Sequence, residues 1–117
     1  MPHPIRSFAF LLLAVFALGA APHAGAQDKA FRVALIAGKT GALETYARET
    51  ENGFMLGLEY LTKGTMAING RPIKVFVKDD QGKPDLGRTL LAEAYGDDRV
   101  DIAVGTTSSA SALAMLP

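Results

Sequence analysis

The stretch "FRVALIAGKTGALETY", Phe31 to Tyr46, joins a near-continuous apolar run to a glycine-containing loop. A run such as Phe31 to Ala37, apolar at almost every position, predicts a strand covered on both faces, the situation of a central strand in a parallel sheet. The loop behind it contains Gly38-Lys39-Thr40, letters that invite a nucleotide reading. A phosphate-binding loop requires a further glycine five positions before the glycine of Gly-Lys-Thr, and that position is Val33, inside the strand. Gly38 and Gly41 also lack the third glycine of a dinucleotide fingerprint. No ATP binding is expected here.

Outward from this stretch the pattern alternates strand and helix, as in a parallel sheet with crossover helices. Residues 46–63 carry Phe54, Leu58 and Leu61 at helical spacing, with Gly64 placed to end the helix. Gly53 and Gly57, four apart, suggest a helix that approaches the sheet closely. Asn69-Gly70 between two extended runs is a tight-hairpin signal, and Ile73 to Val77 is the next sheet strand. Pro84 suits the first position of a helix whose apolar face uses Leu86, Leu90, Leu91, Ala94 and Tyr95 and which Gly96 ends. Val100 to Gly105 is the third strand, and "TTSSASALAML" turns into a last helix. The expected fold is α/β, a three-layer, doubly wound, mostly parallel sheet, incomplete because the apolar run before Pro117 has nothing to close it.

Residues 1–26 read as an export signal. Arg6 precedes the apolar block Phe8 to Leu18, and Ala24-Gly25-Ala26 supplies a small-x-small cleavage pattern, so the cut is expected after Ala26. Residues 27–117 then form the folded part, in the periplasm. Both histidines, His3 and His23, leave with the signal, and the chain has no cysteine. A Ser-His-Asp triad, a catalytic thiol and a His/Cys zinc site are thereby excluded, and no cofactor is implied. Eleven basic against twelve acidic residues remain, a net of −1, which gives no footprint for nucleic acid.

In doubly wound sheets ligands sit beyond the carboxyl ends of the strands. Two loops qualify. The first offers Lys39, Thr40 and, beyond it, Tyr46 as rim residues, or uses its glycines only to turn. The second, "GTTSSAS", places Thr107, Ser108 and Ser109 where a strand feeds a helix, so that hydroxyls and backbone N–H groups can converge on a carboxylate; one of these hydroxyls could equally cap the helix. Asp79 and Asp80, the paired carboxylates at a strand end, read as turn formers and a helix cap before Pro84 rather than as a phosphoacceptor pair.

Taken in order, "TGALETYARETENGF", "NGRPIKVFVKDDQGKP" and "DIAVGTTSSASALAMLP" resemble the start of type I periplasmic solute-binding proteins of the branched-chain amino acid transporter group. The resemblance implies a two-lobed protein, of which residues 27–117 are the N-terminal part of lobe one, that closes on a solute and delivers it to ABC permease subunits in the inner membrane. It implies that Ser109 receives the solute's carboxylate and that Tyr46 lines the cleft, with Ser108 at a more variable position. The solute would be an amino acid, an amide or an aromatic or aliphatic acid. A sensor ectodomain of a membrane receptor shares the same expected fold, and an exported enzyme would have Lys39 as its one loop lysine. Export predicts a mature chain that begins at Gln27, which N-terminal sequencing of the secreted protein checks; retention of Arg6 would identify a permanent anchor.

Overall fold

The structure, a computed structural model, describes residues 30–116; the expected export signal and its cleavage point lie outside them. The element order is β1 (Phe31–Ala37), α1 (Glu44–Leu61), β2 (Ala67–Ile68), β3 (Arg71–Asp79), α2 (Pro84–Gly96), β4 (Ile102–Gly105) and α3 (Ser109–Met115). The sheet order is β2-β3-β1-β4. β1 pairs parallel with β3 from Phe31↔Ile73 to Ala37↔Asp79 and with β4 from Val33↔Ile102 to Ile36↔Gly105. Val33 through Ala37 are buried, as the unbroken apolar run requires of a strand covered on both faces.

Crossovers between parallel strands are right-handed. The step from β1 to β3 and the step from β3 back past β1 to β4 run in opposite directions, so α1 covers one face and α2 the other. Ala34 and Ile36 share a core with Ala94 and Val100, flanked by Phe76, Leu90, Leu91 and Met115. That is the α2 and α3 face. Val33 and Leu35 alternate to the α1 side, where Ala47 is buried and Phe54 and Leu58 are half-buried. The fold is the expected doubly wound, three-layer arrangement.

Local backbone chemistry places several boundaries where the sequence indicates them. Asn69 and Gly70 have φ of 50° and 78°, the two left-handed residues of a type I′ turn, and they join β2 to β3 antiparallel through Ile68↔Arg71. Pro84 opens α2, where its missing N–H costs nothing.

Other boundaries differ. Leu61 is 77% exposed, and the inner face of α1 runs through Ala47, Phe54 and Leu58 instead. Gly53 and Gly57 have open space where a Cβ would stand, so close approach to the sheet is not their role. Gly64 does not turn the end of α1 by itself. Gly64 N–H donates to Glu59 O at 2.8 Å and Lys63 N–H to Tyr60 O at 3.1 Å, the paired bonds of a Schellman motif, and they put Lys63 at its left-handed position with φ 53°. Gly96 ends α2 as expected, and Arg99, at φ 52°, then turns the chain into β4.

A side chain at a left-handed position costs an L-residue about 1–2 kcal/mol, part of which glycine returns as lost chain entropy. Lys63→Gly is therefore expected to raise stability by about 0.5–1 kcal/mol, read as a higher urea midpoint at unchanged slope.

Candidate functional site

The parallel register brings three strand ends to one side. Ala37 pairs with Asp79, and Ile36 with Gly105, so the segments 38–43, 80–83 and 106–108 leave the sheet together. The chain order reverses about β1, and the loops after β1 and β4 diverge to opposite faces. A crevice at such a reversal is where open α/β sheets hold ligands.

The two flanking loops are joined directly. Gly38 N–H donates to Thr107 Oγ1 at 3.0 Å. A Cβ on Gly38 would stand 3.2 Å from Gly82 N, 3.2 Å from Thr107 Oγ1 and 3.3 Å from an Asp80 carboxylate oxygen. A side chain here would press on all three neighbours, since three strand ends meet around Gly38. Gly105 is the second constrained glycine: at φ 132° an added Cβ would lie 2.0 Å from Ile36 O, so the exit from β4 admits no side chain.

Around this junction the structure places each residue singled out in the sequence. Ser108 is the N-cap of α3, its Oγ accepting from Ser111 N–H at 3.3 Å. Ser109 is the first helical residue and is exposed. Its N–H and that of Ala110 belong to the first turn, which has no intrahelical acceptors. Thr107 is half-buried, holding Gly38 through its oxygen while its hydroxyl hydrogen stays available. The three are contiguous at the crevice. Tyr46 stands in the first turn of α1, 63% exposed. Lys39 turns toward α1, where its ammonium pairs with Glu51 at 2.8 Å beside a groove of 240 Å³ that also includes Glu44 and Arg48. Among the described residues no hydrogen bond or ion pair joins Tyr46 or Lys39 to the serine pair.

A larger groove of 700 Å³ lies elsewhere, between α2, α3 and the outer side of β4, lined by Leu91, Tyr95, Ala103, Met115 and Leu116 among others. It is mostly apolar; its wall also carries Arg88, whose Nε donates to Ala114 O at 3.2 Å, and Tyr95, whose Oη accepts from Ala103 N–H at 3.2 Å. The adjacent hydroxyls and first-turn N–H groups lie instead at the loops beyond the strand ends.

Asp79 and Asp80 have a larger part than turn formation. Asp79 accepts from Gln81 N–H at 2.9 Å and Asp80 from Gly82 N–H at 2.8 Å, which are the expected turns; α2, however, is preceded by Lys83 with no side-chain cap. Asp79 also accepts from Lys39 N–H at 2.8 Å, Thr40 N–H at 3.3 Å and Thr40 Oγ1 at 2.7 Å. Asp80 is fully buried and accepts from Thr106 Oγ1. The available signal was positional: two acids at the end of a strand that neighbours a loop of glycines and threonines.

A profile of the family described as "Periplasmic binding protein" matches residues 30–117. The chain belongs to the periplasmic binding protein family. Among solved structures, an ABC-type branched-chain amino acid transporter protein from Rhodopseudomonas palustris CGA009 is 64% identical with a TM-score of 0.74, over 74% of this chain and 24% of that one. A solute-binding protein of an ABC transporter from Rhodopseudomonas palustris BisB5, in complex with 3,4-dihydroxybenzoic acid, is 30% identical with a TM-score of 0.66, over 73% and 23%. A branched-chain amino acid transporter substrate-binding protein from Streptococcus pneumoniae, in complex with isoleucine, is 20% identical with a TM-score of 0.68, over 74% and 25%, and shares the fold. No curated protein matches the chain. The chain thus spans about a quarter of the length of these structures. Membership of the periplasmic binding protein family agrees with the α/β lobe and implies an extracytoplasmic location.

Burial by itself would raise the Asp79 carboxyl, but the bonds from Thr40, Gln81 and Lys39 outweigh it and hold the group below its ordinary 3.8. A depressed carboxyl stabilises the fold above its unfolded value and loses that contribution as pH falls through the lower folded value. The stability difference between the parent protein and Asp79→Ala should therefore be constant near neutrality and shrink below pH 3.8, as urea titrations at several pH values would show.

Proposed function

We propose that the chain forms the N-terminal part of the first lobe of an extracytoplasmic solute-binding component of an ABC importer, and that this lobe supplies one wall of a cleft for a small carboxylate-bearing solute. The observation that carries the reading is the exposed residue Ser109 at the first turn of α3, following a loop tied to the β1 loop at the strand-order reversal. Ser108 is occupied as the cap, so the adjacent serines divide the work: Ser108 fixes the helix start and Ser109 faces outward. Thr107 adds a hydroxyl donor held in place by Gly38. Tyr46 supplies an exposed aromatic face for the apolar part of the solute, and Lys39, paired with Glu51, stays at the rim.

The protein would act by binding rather than by catalysis. Hydroxyls and N–H groups bind a carboxylate without bringing a base or nucleophile to it, and closure of a second lobe would remove water and strengthen each of those bonds. The solutes held by the similar proteins, isoleucine and 3,4-dihydroxybenzoic acid, share a carboxylate and differ in the rest, which fits a first lobe that reads the carboxylate and leaves selectivity to later segments. Export through a signal cut after Ala26, delivery to permease subunits and continuation of the reading frame beyond Pro117 complete this reading.

Calorimetric titration of the full-length protein with isoleucine, leucine, benzoate and 3,4-dihydroxybenzoate is expected to find a binder in this set. Ser109→Ala should weaken it about tenfold, the worth of one hydrogen bond to a charged group. Unchanged affinity in Ser109→Ala would remove that hydroxyl from the site, and a protein that binds none of the four would defeat the carboxylate reading.

A further inference from the structure

We propose that Asp79 and Asp80 are positioning residues for the cleft, each carboxylate holding one of the two loops that face it: Asp79 the β1–α1 loop and Asp80 the β4–α3 loop. The proposal rests on the solute-binding reading above and extends it to residues that would not touch the solute. Successive side chains at a strand end point to opposite faces. The loops after β1 and β4 also diverge to opposite faces, so two adjacent acids at the end of β3 can address both. The contacts follow that geometry. Asp79 takes two N–H groups and a hydroxyl from Lys39 and Thr40, 40 and 39 residues away in sequence. Asp80 takes the Thr106 hydroxyl, 26 residues away, and lies on the α2 side, its carboxylate 3.7 Å from where a Cβ on Gly87 would stand.

Turn formation alone does not account for these contacts. Each acid needs only the N–H two residues ahead to make its turn, and both have that bond. Asparagine or serine would do as much. What a carboxylate adds is acceptor capacity: Asp79 collects four donors on its two oxygens. Asp80 is fully buried, a costly placement unless its oxygens are bonded, and one of its two bonds is the link to Thr106. Thr106 Oγ1 in turn receives Ser108 N–H at 3.5 Å, a long bond that extends the path to the cap of α3. The Gly38 to Thr107 bond closes the circuit between the loops. The candidate donors at Thr107, Ser108 and Ser109 are therefore held from below by Asp80, while Asp79 sets the opposite rim.

The test uses the full-length protein, amide hydrogen exchange of peptides covering residues 38–43 and 105–110, and calorimetry with isoleucine and 3,4-dihydroxybenzoate as probes. Asp79→Ala and Thr40→Val should each accelerate exchange about tenfold in the first peptide and leave the second unchanged. Thr106→Val should do the reverse, and it stands in for Asp80→Ala if removal of a buried carboxylate prevents folding. Asp80→Asn should stay close to the parent, because its carboxamide accepts from Gly82 N–H and donates to Thr106 Oγ1. Thr106→Val and Asp79→Ala should weaken a bound probe about tenfold without unfolding the protein. Equal acceleration in both peptides, or in neither, overturns the proposal, as does selective acceleration with unchanged probe affinity. If neither probe binds the parent protein, the solute reading fails on its own account, and the exchange pattern decides the anchoring of the loops.

Discussion

The burial of β1 on both faces is the constraint from which the rest of the structure follows. Leu35 and Ile36 are almost fully buried and point to opposite sides, and truncation of such a residue typically costs about 2–5 kcal/mol. A strand in that situation needs a neighbour along each edge and a helix over each face. The chain meets the requirement by stepping to β3 on one side and returning past β1 to β4 on the other, and with right-handed crossovers this is the arrangement that puts helices on both faces. The reversal of direction at β1 is thus a consequence of covering β1, and the crevice comes with it.

That crevice creates a second requirement. Three strand ends at one level release backbone N–H groups and hydroxyls that must be paired where water is restricted. Side-chain oxygens do much of this. Thr107 receives Gly38 N–H, and the Asp79 and Asp80 oxygens receive the N–H groups of Lys39, Thr40, Gln81 and Gly82. Each such bond contributes about 0.5–3 kcal/mol, less than the truncation of a central core residue. They choose the loop conformation on a fold already secured by burial. A mutation at this level can change the shape of the crevice while β1 remains covered.

The parts legible in the sequence are those whose cause is local or periodic. "FRVALIA" reads as a doubly covered strand because burial on both faces leaves no polar period. Asn69-Gly70 and Pro84 read correctly because φ preference is a property of the residue itself. The errors arise where a third body decides. Leu61 follows the apolar period, yet as the last residue of α1 it stays exposed. Gly64 takes a left-handed φ of 78° as expected, but the bonds at the end of α1 bring Lys63 into the same region at 53°. Of the loop residues, the sequence indicated that one hydroxyl of the serine pair caps the helix but not which, and the structure assigns the cap to Ser108. The long-range reach of Asp79 and Asp80 was not legible, because their partners Lys39, Thr40 and Thr106 are adjacent only after the register is fixed.

The division between Ser108 and Ser109 bears on how a short helix could take part in recognition. α3 has seven residues, so its dipole alone is a weak basis for holding an anion, since the effect resides in the unpaired groups of the first turn. What distinguishes its start is support. Ser108 fixes the first turn through Ser111 N–H, Thr107 is pinned to Gly38, and Thr106 is pinned to a buried carboxylate. Donors held in this way lose little freedom when a ligand arrives, which is the main route by which a few hydrogen bonds yield useful affinity. The Asp80 oxygens accept from Gly82 N–H and Thr106 Oγ1, so they do not take up the first-turn N–H groups of α3. An acid beneath the start of α3 is therefore compatible with the proposed site: it would orient the donors and leave their outer side to a solute.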